Sequence, residues 1–426
     1  MSVAHTELPS LSHSVFLQRA ARTLPIPGGG LESRLGQGAF LALRLIDLLA
    51  PEREPVHPDA FRYQCAATER FFGDLRVTST EAAHLQALVV SAGSAQRDGD
   101  VGLLLPGLFA YAHLLEDELR LEEALDVLWT LRHVGGSLLS AANAIALSLR
   151  AGRVNRKLNR FDEAEEAYAE AGRVAGSARD THSELLSRIG RAHALLGRGN
   201  LPEAEICLTK ALTDAQCAGE RAAEALAEHV LAAVLQHRGS PDIALVHAWR
   251  AFELYEDEES RLRALGDVGL MLLTLGDARG AEQALGEVVR RGTSLDLIAN
   301  ALIELMHCAS LQGDRVGFER WRVRCKEAVP NMPPNILADY YFKAGIGEAR
   351  FSRFQRATRL MEKALQVAET AGIHEFSFKI ERIKNGLRAC GEALGAPSPA
   401  DAEPVTQSEV VREVSAFVAH LTAGQR

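Results

Sequence analysis

The residues of this chain best suited to chemistry are a run of bases, a scatter of histidines and cysteines, and one glycine-rich stretch. Arg150, Arg153, Arg156, Lys157 and Arg160 follow one another with no acid between them, and Asp162, Glu163, Glu165, Glu166 and Glu170 then follow with no base. Guanidinium groups so clustered could hold a carboxylate or phosphate by paired hydrogen bonds. The stretch GGGLESRLGQG, Gly28–Gly38, has the glycine content of a phosphate cradle. It lacks the terminal GK[ST] and follows no strand-like run, so a flexible loop is expected there. Cys65, Cys207, Cys217, Cys308, Cys325 and Cys390 form no CxxC or CxxH pair, so neither a zinc site nor a disulfide framework is expected. The histidines show no HExxH; His229 and His237 lie eight apart, twice the spacing of a two-ligand bite on one helix. No GxSxG elbow is present. The expectation is a protein without cofactor or metal that works by binding. An enzyme whose site assembles only in space is the competing class, and no motif supports it.

Charge narrows the partners. The net charge is −9, and residues 1–100 hold nine arginines and no lysine against eleven acids. Without a basic face, phosphate contacts have little to draw on, and nucleic acid is not expected as a partner. The N-terminus lacks a basic segment followed by an apolar core. The stretch GAFLALRLIDLLA, Gly38–Ala50, is too short to span a bilayer and carries Arg44 and Asp47. It reads as an amphipathic helix, and a cytoplasmic protein with no membrane partner is expected. Aromatic residues are only 6% while alanine and leucine abound, which favours helix over strand.

The elements that must position these residues come from an internal repeat. RLEEALDVLWTL, RFDEAEEAYAEA, NLPEAEICLTKA, SPDIALVHAWRA, DARGAEQALGEV and RFQRATRLMEKA align on Ala124, Ala164, Ala204, Ala244, Ala281 and Ala357, with Phe318 in the same place of a weaker copy. Successive anchors are 40, 40, 40, 37, 37 and 39 residues apart. Apolar or alanine positions recur four and seven residues after each anchor, one face of an α-helix. A second apolar-periodic segment precedes each anchor and ends in Gly or a polar residue, as helix C-termini do. Each repeat is therefore read as two helices with a short turn.

These motifs resemble the tetratricopeptide repeat (TPR) family. Ala192, Leu195, Gly199, Leu201, Ala204, Leu208 and Ala211 follow its pattern, as do Gly269, Leu272, Gly276, Ala278, Ala281, Leu285 and Val288. The likeness covers about residues 105–390. The repeats exceed the usual length of about 34, the helix A tryptophan is absent, and a terminal proline occurs only at Pro330. Longer repeats of this kind resemble the regulatory repeat regions of bacterial signalling and transcription proteins. The resemblance implies an all-α fold, an α-solenoid of stacked antiparallel helix pairs. It implies a scaffold or adaptor that binds protein or peptide in a concave groove, with a peptide-sensing regulator as the alternative. By family alignment the groove positions are Arg153, Arg156, Lys157, His193, His229, His237, Asn300, His307, Asp339, Lys343 and Arg350. Arg150, Arg153 and Lys157 fall within about 60° on one helix and form a basic stripe expected to take an acidic peptide or a terminal carboxylate. The same charges also suit the helix dipoles, bases at the end of helix A and acids at the start of helix B.

The ends differ from the array. Residues 1–100 are read as helices at about 11–23, 34–50, 58–73 and 80–97, a divergent N-terminal cap, and 101–391 as about seven repeats. Residues 392–407, rich in Pro, Ala and acids, read as a linker. Within 408–426, Val410, Val411, Val414, Phe417, Val418 and Leu421 recur at helical spacing. This amphipathic helix is expected to cap the last repeat, or else to lie in the groove of its own or another copy.

Overall fold

The computed structural model describes residues 11–25, 29–73, 75, 79–392 and 408–423. Among the described residues there is no strand, and the chain is all-α. It divides into two compact units, residues 1–187 and 188–426. The first contains α1 (Ser14–Thr23), α2 (Gly30–Asp47), α3 (Pro58–Gly73), α4 (Thr80–Asp98), α5 (Leu105–Asp117), α6 (Leu121–Gly135), α7 (Ala141–Lys157) and α8 (Phe161–Ala178). The division falls within α9 (Thr181–Gly197). The second continues with α10 (Leu201–Ala218), α11 (Arg221–His237), α12 (Pro241–Leu254), α13 (Glu258–Thr274), α14 (Ala278–Arg291) and α15 (Leu295–Leu311). It ends with α16 (Arg315–Ala328), α17 (Pro334–Arg350), α18 (Phe354–Thr370), α19 (His374–Glu392) and α20 (Glu409–Ala423). Successive helices pack as pairs: α5 with α6 and α7 with α8 in the first unit, then α11 with α12, α13 with α14, α15 with α16 and α17 with α18 in the second. These are the A and B helices of a TPR-like array.

The turn between A and B helices is built the same way seven times. Leu119, Asn159, Gly199, Gly239, Gly276, Gly313 and Ser352, each five residues before an anchor, have positive φ. The next residue's N–H reaches back to a carbonyl five residues earlier: Arg120 to Leu115 at 2.8 Å, Asp277 to Leu272 at 2.8 Å, Arg353 to Glu348 at 2.8 Å. This is the Schellman closure, which satisfies orphan carbonyls at a helix end. It explains the glycines before four anchors, since only glycine enters the left-handed region without a Cβ penalty.

The anchors are all buried, Ala124, Ala164, Ala204, Ala244, Ala281 and Ala357 at 0% exposure. Their small size lets A and B helices approach. A Cβ placed on Gly152 of α7 would lie 2.8 Å from the Tyr168 ring of α8. The bulky Phe318 fits as an anchor because Gly347 on α17 leaves room; a Cβ there would lie 2.2 Å from the ring.

In the first unit α1 to α4 build a core around Phe16, Leu35, Phe61, Phe72 and Leu85, joined by Tyr111 of α5. His13, just before α1, bridges Asp126 (2.5 Å) and Asp47 (3.1 Å). Arg120 grips Glu81 with two bonds of 2.8 Å, and the Tyr111 hydroxyl donates to the same carboxylate at 2.8 Å. Gly28–Gly38 is not the loop expected from sequence: from Gly30 onward it is the start of α2, and Gly28 lies outside the described residues. Its inner glycines serve close packing. A Cβ on Gly36 would lie 2.6 Å from the Phe16 carbonyl oxygen, and one on Gly38 2.5 Å from the Phe72 ring.

The C-terminal helix also departs from expectation. α20 does not cap the last repeat; it packs on α12 and α14. Val411, Val414 and Val418 are buried there. The aromatic and hydrogen-bonding partners it needs, Trp249 and Asp277, lie on that face. The connecting residues 393–407 lie outside the described residues.

Candidate functional site

The basic stripe sits on α7. Ser140 starts the helix by accepting a hydrogen bond from the Asn143 N–H at 3.2 Å, and Arg156 and Lys157 fill its last turn where the dipole favours cations. The stripe already holds a carboxylate. Glu116 of α5, 3% exposed, receives Arg153 Nε at 2.7 Å and Lys157 Nζ at 3.0 Å on Oε1, and Arg153 Nη2 at 3.0 Å on Oε2. Burial alone would raise the Glu116 pKa, but Arg153 and Lys157 outweigh it and hold the carboxyl below its usual range. Arg160 pairs with Glu122 at 2.7 Å, and Arg156 hydrogen-bonds the Tyr168 hydroxyl. Arg150 differs: its Nη1 is buried with no hydrogen-bond partner among the described residues. Burial, then Arg153, lowers its pKa.

The second unit repeats this scheme, pairing side chains of one A helix with those of the next. His229 of α11 contacts Asp267 of α13 at 2.9 Å through Nε2 and the Tyr255 hydroxyl at 3.1 Å through Nδ1. Arg263 of α13 takes Asp296 of α15 with two bonds, 2.9 and 3.1 Å. Lys343 of α17 lies between Glu304 of α15 and Asp339, the latter at 2.7 Å. Burial opposes its charge, yet the two carboxylates raise its pKa above the ordinary lysine value. His193 is partly buried on α9, Asn300 is exposed on α15, and exposed His237 caps its own helix by bonding the Ala233 carbonyl at 2.8 Å.

The pairing stops at His307, Arg350 and Lys379. Arg350 Nη1 donates to Ser310 Oγ at 2.7 Å and stands 3.4 Å from His307 Nδ1. Burial and the cations Lys343, Arg350 and Lys379 pull the His307 pKa down to about 3. The imidazole is therefore neutral, and with Nδ1 turned to Arg350 its proton sits on Nε2, a donor. Burial also lowers the Arg350 pKa. Lys379 lies over Phe342 at 5.5 Å and Phe376 at 5.8 Å. Neither Arg350 nor Lys379 contacts a carboxylate among the described residues. Lys379 was outside the groove set read from sequence, because α19 has no following anchor to fix its register. Of that set the structure thus gathers Arg150, Arg153, Arg156 and Lys157 on α7, and His307, Lys343 and Arg350 across α15 and α17. It sets His193, His229 and Asn300 apart from those clusters.

Other chemistry is sparse. Burial pushes the Cys308 thiol up to about 11 and the Cys325 thiol up to about 12, far from the reactive thiolate. An open concavity of about 580 Å³ on α10 is lined by Pro202, Glu205, Ile206, Thr209, Lys210, Thr213, Asp214 and Arg238. Its threonine hydroxyls are spent on the backbone carbonyls of Glu205 and Thr209, at 2.9 and 3.0 Å. Among the described residues no helix is long and apolar enough to cross a membrane.

No family model matches the chain, and no curated protein does. Solved structures match over most of its length. The Rap conjugation gene regulator of the plasmid pLS20 aligns at 14% identity and a TM-score of 0.49, covering 85% of this chain and 99% of that one. NprR in complex with its cognate peptide NprX aligns at 13% identity and 0.48, covering 80% and 99%. Aspartyl phosphate phosphatase F from Bacillus subtilis aligns at 10% identity and 0.48, covering 85% and 96%. All three scores lie below 0.5.

Proposed function

We propose that the chain is a non-catalytic binding protein that takes an acidic peptide, or the carboxylate end of one, on the A-helix face of α15, α17 and α19. The observation that supports this reading is the pair of cations Arg350 and Lys379. They stand beside a neutral histidine whose Nε2–H can donate, and among the described residues neither contacts a carboxylate. A ligand carboxylate would complete the charge pattern that Glu116, Asp267, Asp296 and Asp339 complete elsewhere. The work such a site does is capture and positioning, the work of a scaffold or of a regulator that reads a peptide. A charge-assisted hydrogen bond contributes about 1.5–3 kcal/mol where it is buried; Arg350 and Lys379 are exposed, and water reduces what each contributes.

The test is fluorescence anisotropy against an array of short peptides graded from neutral to strongly acidic. Acidic members should bind, with affinity falling as salt rises. Arg350→Gln with Lys379→Gln should weaken them at least tenfold, as the loss of about 1.4 kcal/mol does. If acidic and neutral peptides bind alike, or the double variant binds as the parent does, the reading is wrong.

A further inference from the structure

α20 docks on α12 and α14. On α20 the buried residues Val411, Val414 and Val418 form one stripe, spaced three and seven apart. Phe417 meets Trp249 of α12 edge to face, with ring centroids 4.8 Å apart, and remains 48% exposed. Ser415 donates to Asp277 Oδ2 at the start of α14. These contacts seat a helix of 15 residues. A helix of that length is marginal alone in water, so α20 is helical because it is docked.

The receiving face is ordered by its own contacts. Asp277 is the N-cap of α14 and accepts the Gly280 N–H on Oδ1 at 3.0 Å, which leaves Oδ2 for an incoming hydroxyl. Trp249 already packs against Phe252, at 5.1 Å, within α12. Gly280 lets the incoming helix come close, since a Cβ there would lie 2.9 Å from Ser415 Oγ. None of these features requires α20 for its own support. The connection from Glu392 to Glu409 is sixteen residues, with a reach of up to about 55 Å when extended. That reach allows one α20 to leave and another to take its place.

We infer that the α12–α14 face is an amphipathic-helix docking site, that α20 is its displaceable occupant, and that the α20 segment of a second copy fits it equally. The chemistry it selects is a three-residue apolar stripe, a hydroxyl for Asp277 and an aromatic ring for Trp249. In cis the tether supplies a high effective concentration, so the face is closed until α20 is weakened or outcompeted.

The test uses the full chain. Val414→Asp with Val418→Asp should release α20 and leave the array folded. A labelled synthetic peptide of residues 408–426 should then bind this variant saturably, at least tenfold more tightly than it binds the wild-type chain. Adding Trp249→Ala to the variant should weaken the peptide at least tenfold. Amide exchange of α20 should rise to that of an unfolded segment in the double variant, with α12 and α14 still protected. Binding to neither chain, or equally to both, overturns the inference. So does loss of cooperative array unfolding in the double variant, because a displaceable helix is not needed for the fold. Phe417→Ala gives a milder release and should show intermediate peptide binding; no binding there, with α20 exchange raised, also overturns it.

Discussion

Glu116 is the acid that the basic stripe was expected to find in a partner, and its replacement gives the sharpest test of the structure. It is 3% exposed and accepts three charged contacts, at 2.7, 3.0 and 3.0 Å. A hydrogen bond to a charged group contributes about 1.5–3 kcal/mol when buried. Arg153 is 45% exposed and Lys157 24%, so water recovers part of what each loses. Glu116→Gln keeps the shape and can still accept from Arg153, and should cost about 1–2 kcal/mol. Glu116→Ala should cost about 2–4 kcal/mol, because it leaves the cations facing a void. The assay is amide exchange over residues 105–157, which reads local opening without assuming that the whole chain unfolds in one step. A double-mutant cycle with Arg153→Gln should give a coupling of about 1 kcal/mol. The pH dependence has a fixed sign. The folded pKa of Glu116 is lowered, so its contribution is present above the unfolded value of about 4.3 and is lost as pH falls through the folded value. The deficit of Glu116→Gln should therefore shrink below about pH 4. A cost under about 0.5 kcal/mol, or strict additivity with Arg153→Gln, would refute this role.

Three further outcomes follow from the turns, the first helix and the freed stripe. Ser352 is exposed and has φ of 59°, so Ser352→Gly should stabilise the second unit by about 0.5–1 kcal/mol in urea unfolding, relief of left-handed strain exceeding the added chain entropy; destabilisation would contradict the turn assignment. For His13, burial alone would lower the pKa, but hydrogen bonds to Asp126 and Asp47 raise it to about 9. The stability it adds is fully present below about pH 6.5 and is lost as pH rises through about 9. Exchange protection of α1 should fall over that interval in the parent and not in His13→Asn. With Glu116→Gln, Arg153 and Lys157 lose their internal carboxylate, and titration with an acidic peptide should show a salt-sensitive site on the first unit that the parent lacks.

The repeat was readable because its signals have backbone causes. An anchor alanine is required wherever two helices touch closely, and a left-handed turn five residues earlier draws glycine. Leu119, Asn159 and Ser352 hold the same turn with side chains, which is why the glycine signal alone misses three of the seven. The site was less readable, since an A-helix charge finds its partner one repeat away. Glu116 with Arg153, His229 with Asp267 and Glu304 with Lys343 are separated by 37, 38 and 39 residues. A search for opposite charges at the repeat period would have found them; a search for clusters in the chain found only the bases. The valine stripe of α20 showed that one face would be buried and carried no information on which surface would bury it. The glycines of Gly28–Gly38 read as loop because glycine disfavours an exposed helix, whereas Gly36 and Gly38 are held in α2 by contacts with Phe16 and Phe72 from elsewhere in the chain.

The ladder of paired charges bears on where a ligand can bind. At the stripe on α7, an acidic ligand must compete with Glu116, which is covalently held and already in contact with both cations. Its effective concentration is that of an intramolecular group, and it carries no cost of association. A free peptide carboxylate therefore gains little there. At Arg350 and Lys379 no carboxylate is in contact among the described residues. The same guanidinium–carboxylate contact costs no displaced partner, and the neutral His307 adds a donor without adding charge to be neutralised. Arrays of this type would then bind where the charge ladder lacks an acid, and not where the sequence is most basic. In this chain that criterion selects α15, α17 and α19 over the five consecutive bases of α7 and its turn.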